Sequence, residues 1–129
     1  MIFVLDASAL IAFLRGEPGA ETVAEALLDP ESQCYAHALN LCEVFYDFER
    51  AANRHEAQKA VSDLTRMGVI EDACLAPPVW QAAGSLKARL RRVSLADCFA
   101  IELAERVQGT IMKFDVLAAL QEYRIRFIR

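Results

Sequence analysis

Two short apolar runs that each end in an aspartate constrain this chain most. Residues 2–5 read I-F-V-L before Asp6, and residues 110–114 read T-I-M-K-F before Asp115. A short, continuous run rich in β-branched and aromatic residues is the pattern of a buried strand. Further strands are predicted at 33–36, weakly at 69–75, and at 125–128. Helical patterns fill the intervals: 8–14, Ala20–Leu28, 40 to about 67 with a break at 53–55, 77 to about 91, 94 to just before Gly109, and 116–121. Breakers punctuate them, at 15–19 (R-G-E-P-G) and at 29–32 (D-P-E-S). Gly68 fits the position after a helix end, and Pro77-Pro78 fits a first helical turn. Strands alternating with helices predict one α/β domain, residues 1–129, with a mostly parallel sheet of four to five strands covered on both faces. Ligands of such sheets bind beyond the carboxyl ends of the strands, where the strand order reverses. If the two aspartate-ended strands are neighbours there, Asp6 and Asp115 share one crevice.

Composition narrows the function. The chain has 129 residues, with 14 Lys+Arg against 18 Asp+Glu and a net charge of −4. Holding nucleic acid by bulk charge alone calls for the opposite balance. Hydrophobic residues make up 55% of the chain, enough to set some apolar surface against a partner, such as a second copy or a helical peptide. Cys34, Cys42, Cys74 and Cys98 form no C-x-x-C pair, and His37 and His55 complete no zinc spacing with them. The thiols are expected to be small core residues in a reducing cytoplasm. No basic, apolar leader and no membrane-length apolar run is present, so a cytoplasmic protein is expected.

Two further acids sit near helix starts. Glu43 follows Asn40 by three residues in N-L-C-E, and Asp97 follows Ser94 by three in S-L-A-D. Singly, each reads as the acid of a capping box, and Asp6 and Asp115 read as turn-formers. Capping does not account for the joint pattern, in which four acids at strand ends and helix starts can face one rim.

V-L-D-A-S-A-L at 4–10 resembles the opening of PIN domains, and the likeness continues through L-R-G-E-P-G-A-E at 14–21, typical of VapC-type toxin ribonucleases. N-L-C-E-V-F at 40–45, S-L-A-D-C-F-A-I-E-L-A at 94–104 and K-F-D at 113–115 resemble the second, third and fourth acid motifs, in family order and spacing. The resemblance spans essentially the whole chain. It implies a three-layer α/β/α fold and an acidic pocket of Asp6, Glu43, Asp97 and Asp115 that holds Mg²⁺ or Mn²⁺, one or two ions per site. It implies metal-dependent endonucleolytic cleavage of RNA, a homodimer, and a small antitoxin covering the site; the apolar helices at 8–28 and 40–67 are the place for the antitoxin groove.

The chemistry fits those residue types. Crowded carboxylates raise one another's pKa, and a hard divalent ion with oxygen ligands relieves the repulsion. An ion there can lower the pKa of bound water to make a nucleophile. Asp6, Glu43 and Asp97 are the expected principal ligands, with Asp115 completing the pocket. Ser8 is either the cap of the first helix or a hydrogen-bond partner of a carboxylate. Lys113 departs from the family pattern, which has Thr or Ser there. It lies on the same side of its strand as Asp115, where an ammonium can pair with the acids and lower the demand for metal, bind substrate phosphate, or turn outward.

Lys87, Arg89, Arg91 and Arg92 form the one dense basic run, either an RNA contact beside the pocket or a solvated helix face. Asp47 reads as rim charge or solvated face, Arg124, Arg126 and Arg129 as guards of an edge strand. Tyr46 and Trp80 read as packing residues, Cys42 and Cys98 as core thiols, and His37 as incidental. Two rivals remain: a catalytically silent PIN-fold binding module, and a Mg²⁺-binding receiver-like phosphoacceptor domain, which lacks its paired acids because Ala7 follows Asp6.

Overall fold

The computed structural model describes residues 1–113 in full and the backbone of residues 125–127. Strand β1 (Ile2–Leu5) lies at the centre of a five-stranded, all-parallel sheet. The other strands are β2 (Gln33–His37), β3 (Val69–Asp72), β4 (Thr110–Lys113) and β5 (Ile125–Phe127), and the order across the sheet is β3-β2-β1-β4-β5. The chain steps outward from β1 to β3, then crosses back to place β4 on the other side of β1. The order reverses there, so the crevice beyond the ends of β1 and β4 is the switch point. This order also disposes of the receiver-like reading, whose fold is wound 2-1-3-4-5.

Alternation along the strands builds two cores. Phe3, Leu5, Cys34, Ala36 and Met112 face helices α1 (Ala7–Arg15), α2 (Ala20–Leu28), α3 (Ala38–Ala51) and α4 (Arg54–Arg66). Val4, Tyr35 and Ile111 face α5 (Pro77–Arg89) and α6 (Leu95–Val107). The three-layer α/β/α architecture is therefore present. Arg106 on α6 clamps the edge strand β3, donating to both oxygens of Asp72 at 2.8 and 3.1 Å and to Glu102 at 2.9–3.2 Å.

Several boundaries differ from expectation, each for a local reason. Helix α1 starts at Ala7, because Asp6 rather than Ser8 is its cap. Helix α3 starts at Ala38, two residues before Asn40. Buried His37 caps it, with Nδ1 accepting from the Leu39 N–H at 3.1 Å and Nε2 bonded to the Cys74 carbonyl at 3.1 Å. His37 is therefore structural, not incidental. The helical break falls at residues 52–53: Asn53 caps α4, and His55 lies inside that helix. Strand β3 stops at Asp72, whose side chain caps the turn by accepting from the Cys74 N–H. Helix α5 ends at Arg89, and Gly68 follows α4 with φ 103, as its position predicts.

Other side chains correct the sequence reading. Cys42 is exposed, while Cys34 and Cys98 are buried, and all four thiols are free. Tyr46 and Trp80 are each 49% exposed, so neither is a core packing residue. Asp47 is neither rim charge nor bare face, since it pairs with Arg15 at 2.8 Å and Arg50 at 2.9 Å. Among the described residues, no helix is long and apolar enough to cross a membrane. The expected helix at 116–121, the end of the last strand, and the side chains of Arg124, Arg126 and Arg129 lie outside the described residues, although β5 is an edge strand.

Candidate active site

Register and alternation deliver the first two side chains. Leu5 pairs with Met112, so Asp6 and Lys113 are the next residues on two adjacent parallel strands, and the Asp6 N–H reaches the Met112 carbonyl at 3.3 Å. Val4 and Ile111 face α6, and so, two residues on, do Asp6 and Lys113. The Lys113 Nζ donates to Asp6 Oδ2 at 2.9 Å and to Asp97 Oδ2 at 2.7 Å.

Asp6 does two things at once. Its Oδ1 accepts from the Ala9 N–H at 2.9 Å, capping α1, and from the Ser8 hydroxyl at 2.7 Å. Its Oδ2 is left for the crevice. Ser8 thus takes the second of its two expected roles, as partner of the carboxylate. Asp97 is half of a capping box. Its N–H donates to Ser94 Oγ at 3.1 Å, while its carboxylate turns to Lys113.

Asn40 is the site residue that sequence reading missed. Its Oδ1 accepts from the Ala7 N–H at 3.1 Å, and its Nδ2 donates to the Ala96 carbonyl at 3.1 Å. One fully buried amide therefore fixes the residue after Asp6 and the residue before Asp97. The available signal was spacing: Asn40 stands one helical turn before Glu43, on the same face. Reading Asn40 as a cap concealed it.

Glu43 on α3 is half-buried and lies near enough to Asp97, Asp6 and Lys113 to feel their charges. Its pKa is raised, first by burial and then by the charges of Asp97 and Asp6, with Lys113 opposing. The pKa of Asp6 is also raised, chiefly by burial, against the pull of Lys113. Burial works against the Lys113 charge, but the two carboxylates outweigh it and hold the ammonium protonated. Asp6, Glu43 and Asp97 are thus brought together; Asp115 lies outside the described residues.

The basic run is placed less directly. Lys87 Nζ is taken up by the carbonyls of Arg91 and Val93 at 3.0 and 2.8 Å, closing the turn between α5 and α6, while Arg89, Arg91 and Arg92 are exposed. The donor set of the crevice suits a hard divalent cation in kind, being all carboxylate oxygen. Among the described residues no three acids, histidines or cysteines stand close enough to grip one ion together, and an ammonium sits between the two nearest carboxylates.

The chain resembles solved toxin–antitoxin proteins in fold. VapBC2 from Rickettsia felis, solved bound to a promoter DNA fragment, matches with a TM-score of 0.74 at 14% identity, covering 98% of each chain. Mycobacterium tuberculosis VapC20, a toxin that cleaves the sarcin–ricin loop, matches with a TM-score of 0.71 at 14% identity, over 95% of this chain and 94% of that one. VapBC-5 from the same organism matches at 23% identity with a TM-score of 0.59, over 99% and 98%. No curated protein matches the chain. The PIN domain family model matches residues 3–117, a span that holds β4, Asp6, Glu43, Asp97 and Asp115 and all of β1 but Ile2. This chain belongs to the PIN domain family.

Proposed function

We propose that the protein is a metal-dependent endoribonuclease and the toxin of a type II toxin–antitoxin pair. The observation that carries the reading is the convergence of Asp6, Glu43 and Asp97 at the switch point of a PIN-domain sheet. Mg²⁺ or Mn²⁺, one or two ions held by Asp6, Glu43 and Asp97 with Asp115, would supply an activated water and charge neutralisation at the phosphate. The chain's own residues do the rest. Ser8 and the Ala9 N–H orient the Asp6 carboxylate, Asn40 holds the two acid-bearing segments in register, and the Asp97 main chain is fixed by Ser94. Phosphate contacts are assigned in this reading to the exposed Arg89, Arg91 and Arg92.

The partner reading rests on fold and surface. The similar solved structures include toxins with their antitoxins, among them a complex from Klebsiella pneumoniae with a TM-score of 0.73. An apolar groove of about 400 Å³ opens between α1, α2 and the end of α4, lined by Phe13, Ala24, Leu27, Leu28 and Met67 with Arg66 at its margin. It lies on the helices proposed to receive the antitoxin. A homodimer is part of the same proposal.

The test is RNA cleavage with Mg²⁺ or Mn²⁺, with EDTA and Asp97→Asn as controls. Cleavage lost in both controls supports the reading. Cleavage that survives both rejects the metal–acid mechanism. Metal binding without cleavage of several structured RNAs favours the silent binding module.

A further inference from the structure

The two Oδ2 atoms of Asp6 and Asp97 converge on one point, and the Lys113 Nζ holds it at 2.9 and 2.7 Å. These are charge-assisted distances. The lysine is not a surface residue reaching in: its side chain is 6% exposed, and it leaves β4 between two buried layers. An ion that bound both oxygens would sit about 2.0–2.1 Å from each if it were Mg²⁺. That place and the place of Nζ overlap, so ammonium and ion exclude each other there.

We infer that Lys113 is a tethered cation that fills the Asp6–Asp97 position, so that the acid cluster folds neutralised without metal and a divalent ion enters only by displacing the ammonium. The inference rests on the reading of this crevice as a divalent-cation site. Its physical basis is competition. The ammonium is joined to the sheet, so its effective concentration at the two carboxylates is high and needs no ligand in solution. Displacing it leaves a buried ammonium to find another partner, which is costly. The same exchange makes Lys113 a threshold: metal too scarce to expel it leaves the site folded and closed.

The test uses Mn²⁺ alone as probe, with calorimetric titration and thermal unfolding of the full chain. Three proteins are compared: the wild type, Lys113→Thr, and Lys113→Gln, which keeps much of the side-chain bulk without the charge and serves should the threonine variant fail to fold. The expected result is Mn²⁺ binding at least about tenfold tighter in either variant than in the wild type. The wild-type midpoint should be the same in EDTA and in millimolar Mn²⁺, whereas a variant's midpoint should be lower in EDTA and recover with Mn²⁺. Equal Mn²⁺ affinity in wild type and folded variants overturns the inference while leaving the divalent-cation reading intact. Absence of Mn²⁺ binding in all three overturns both.

Discussion

Lys113 at the end of β4 and Asp6 just past β1 form a buried ion pair across 107 residues of sequence, with Nζ 2.9 Å from Oδ2. The pair joins the two strands at the one place in the sheet where the order reverses. The same ammonium also binds Asp97 Oδ2 at 2.7 Å, so two carboxylates share it.

Asn40 is the residue whose loss should cost most for its size. Asn40→Ala leaves the buried Ala7 N–H without its partner and removes the amide bond to the Ala96 carbonyl. An unpaired buried N–H costs of order 1–3 kcal/mol, so a loss of about 2 kcal/mol is expected, read as a lower urea midpoint with an unchanged slope. A loss below about 0.5 kcal/mol would mean that the amide does not tie the two segments.

Glu43→Gln should stabilise the protein at neutral pH. Burial and the charges of Asp97 and Asp6 hold the folded-state pKa of Glu43 above the ordinary glutamate value, so the folded state holds its proton more tightly than the unfolded chain does. Stability therefore falls as pH rises from about 4.5 through the folded pKa, and the penalty is complete above it. Glutamine removes the penalty, by about 0.5 kcal/mol for a half-exposed group, and the gain should vanish below pH 4.5. Thermal midpoints of both proteins across pH 4–8 check this, and a gain that persists at pH 4 would contradict it.

Arg106→Gln should loosen β3 and remove an acid-dependent part of the stability. Its hydrogen bonds hold the Asp72 carboxyl below the ordinary aspartate value, against burial. The contribution is therefore whole above about pH 4 and is lost as pH falls through the folded pKa. The variant should lose about 1 kcal/mol at pH 7, the upper end for a screened pair, and the difference should shrink under acid. Urea unfolding at pH 7 and pH 3 measures both, and amide exchange in β3 locates the change.

The chain's strands and acids were legible because strand alternation and short apolar runs are local. I-F-V-L placed β1, and the aspartate after it placed one wall of the crevice. The acids of S-L-A-D and N-L-C-E were found by their joint spacing, although the capping-box reading was right only for Ser94 and the Asp97 main chain. Asn40 was not legible, because N-L-C-E reads as a cap until His37, from the strand before it, takes that role. Cys42 reads as a core thiol because a helical neighbour of Glu43 points about 100° away from it, yet it also lies off the buried stripe of Leu41 and Val44 and is exposed.

By itself, then, the sequence determined the alternation of strand and helix, which follows from periodicity along the chain, and its four acid motifs carried the family resemblance. It left Lys113 with three directions to point. Tertiary structure decided among them: β4 lies beside β1 in the register Leu5–Met112, and α6 brings Asp97 to the same face. A buried ammonium must be paired, and only packing across the sheet shows that its partners are the two acids of the crevice.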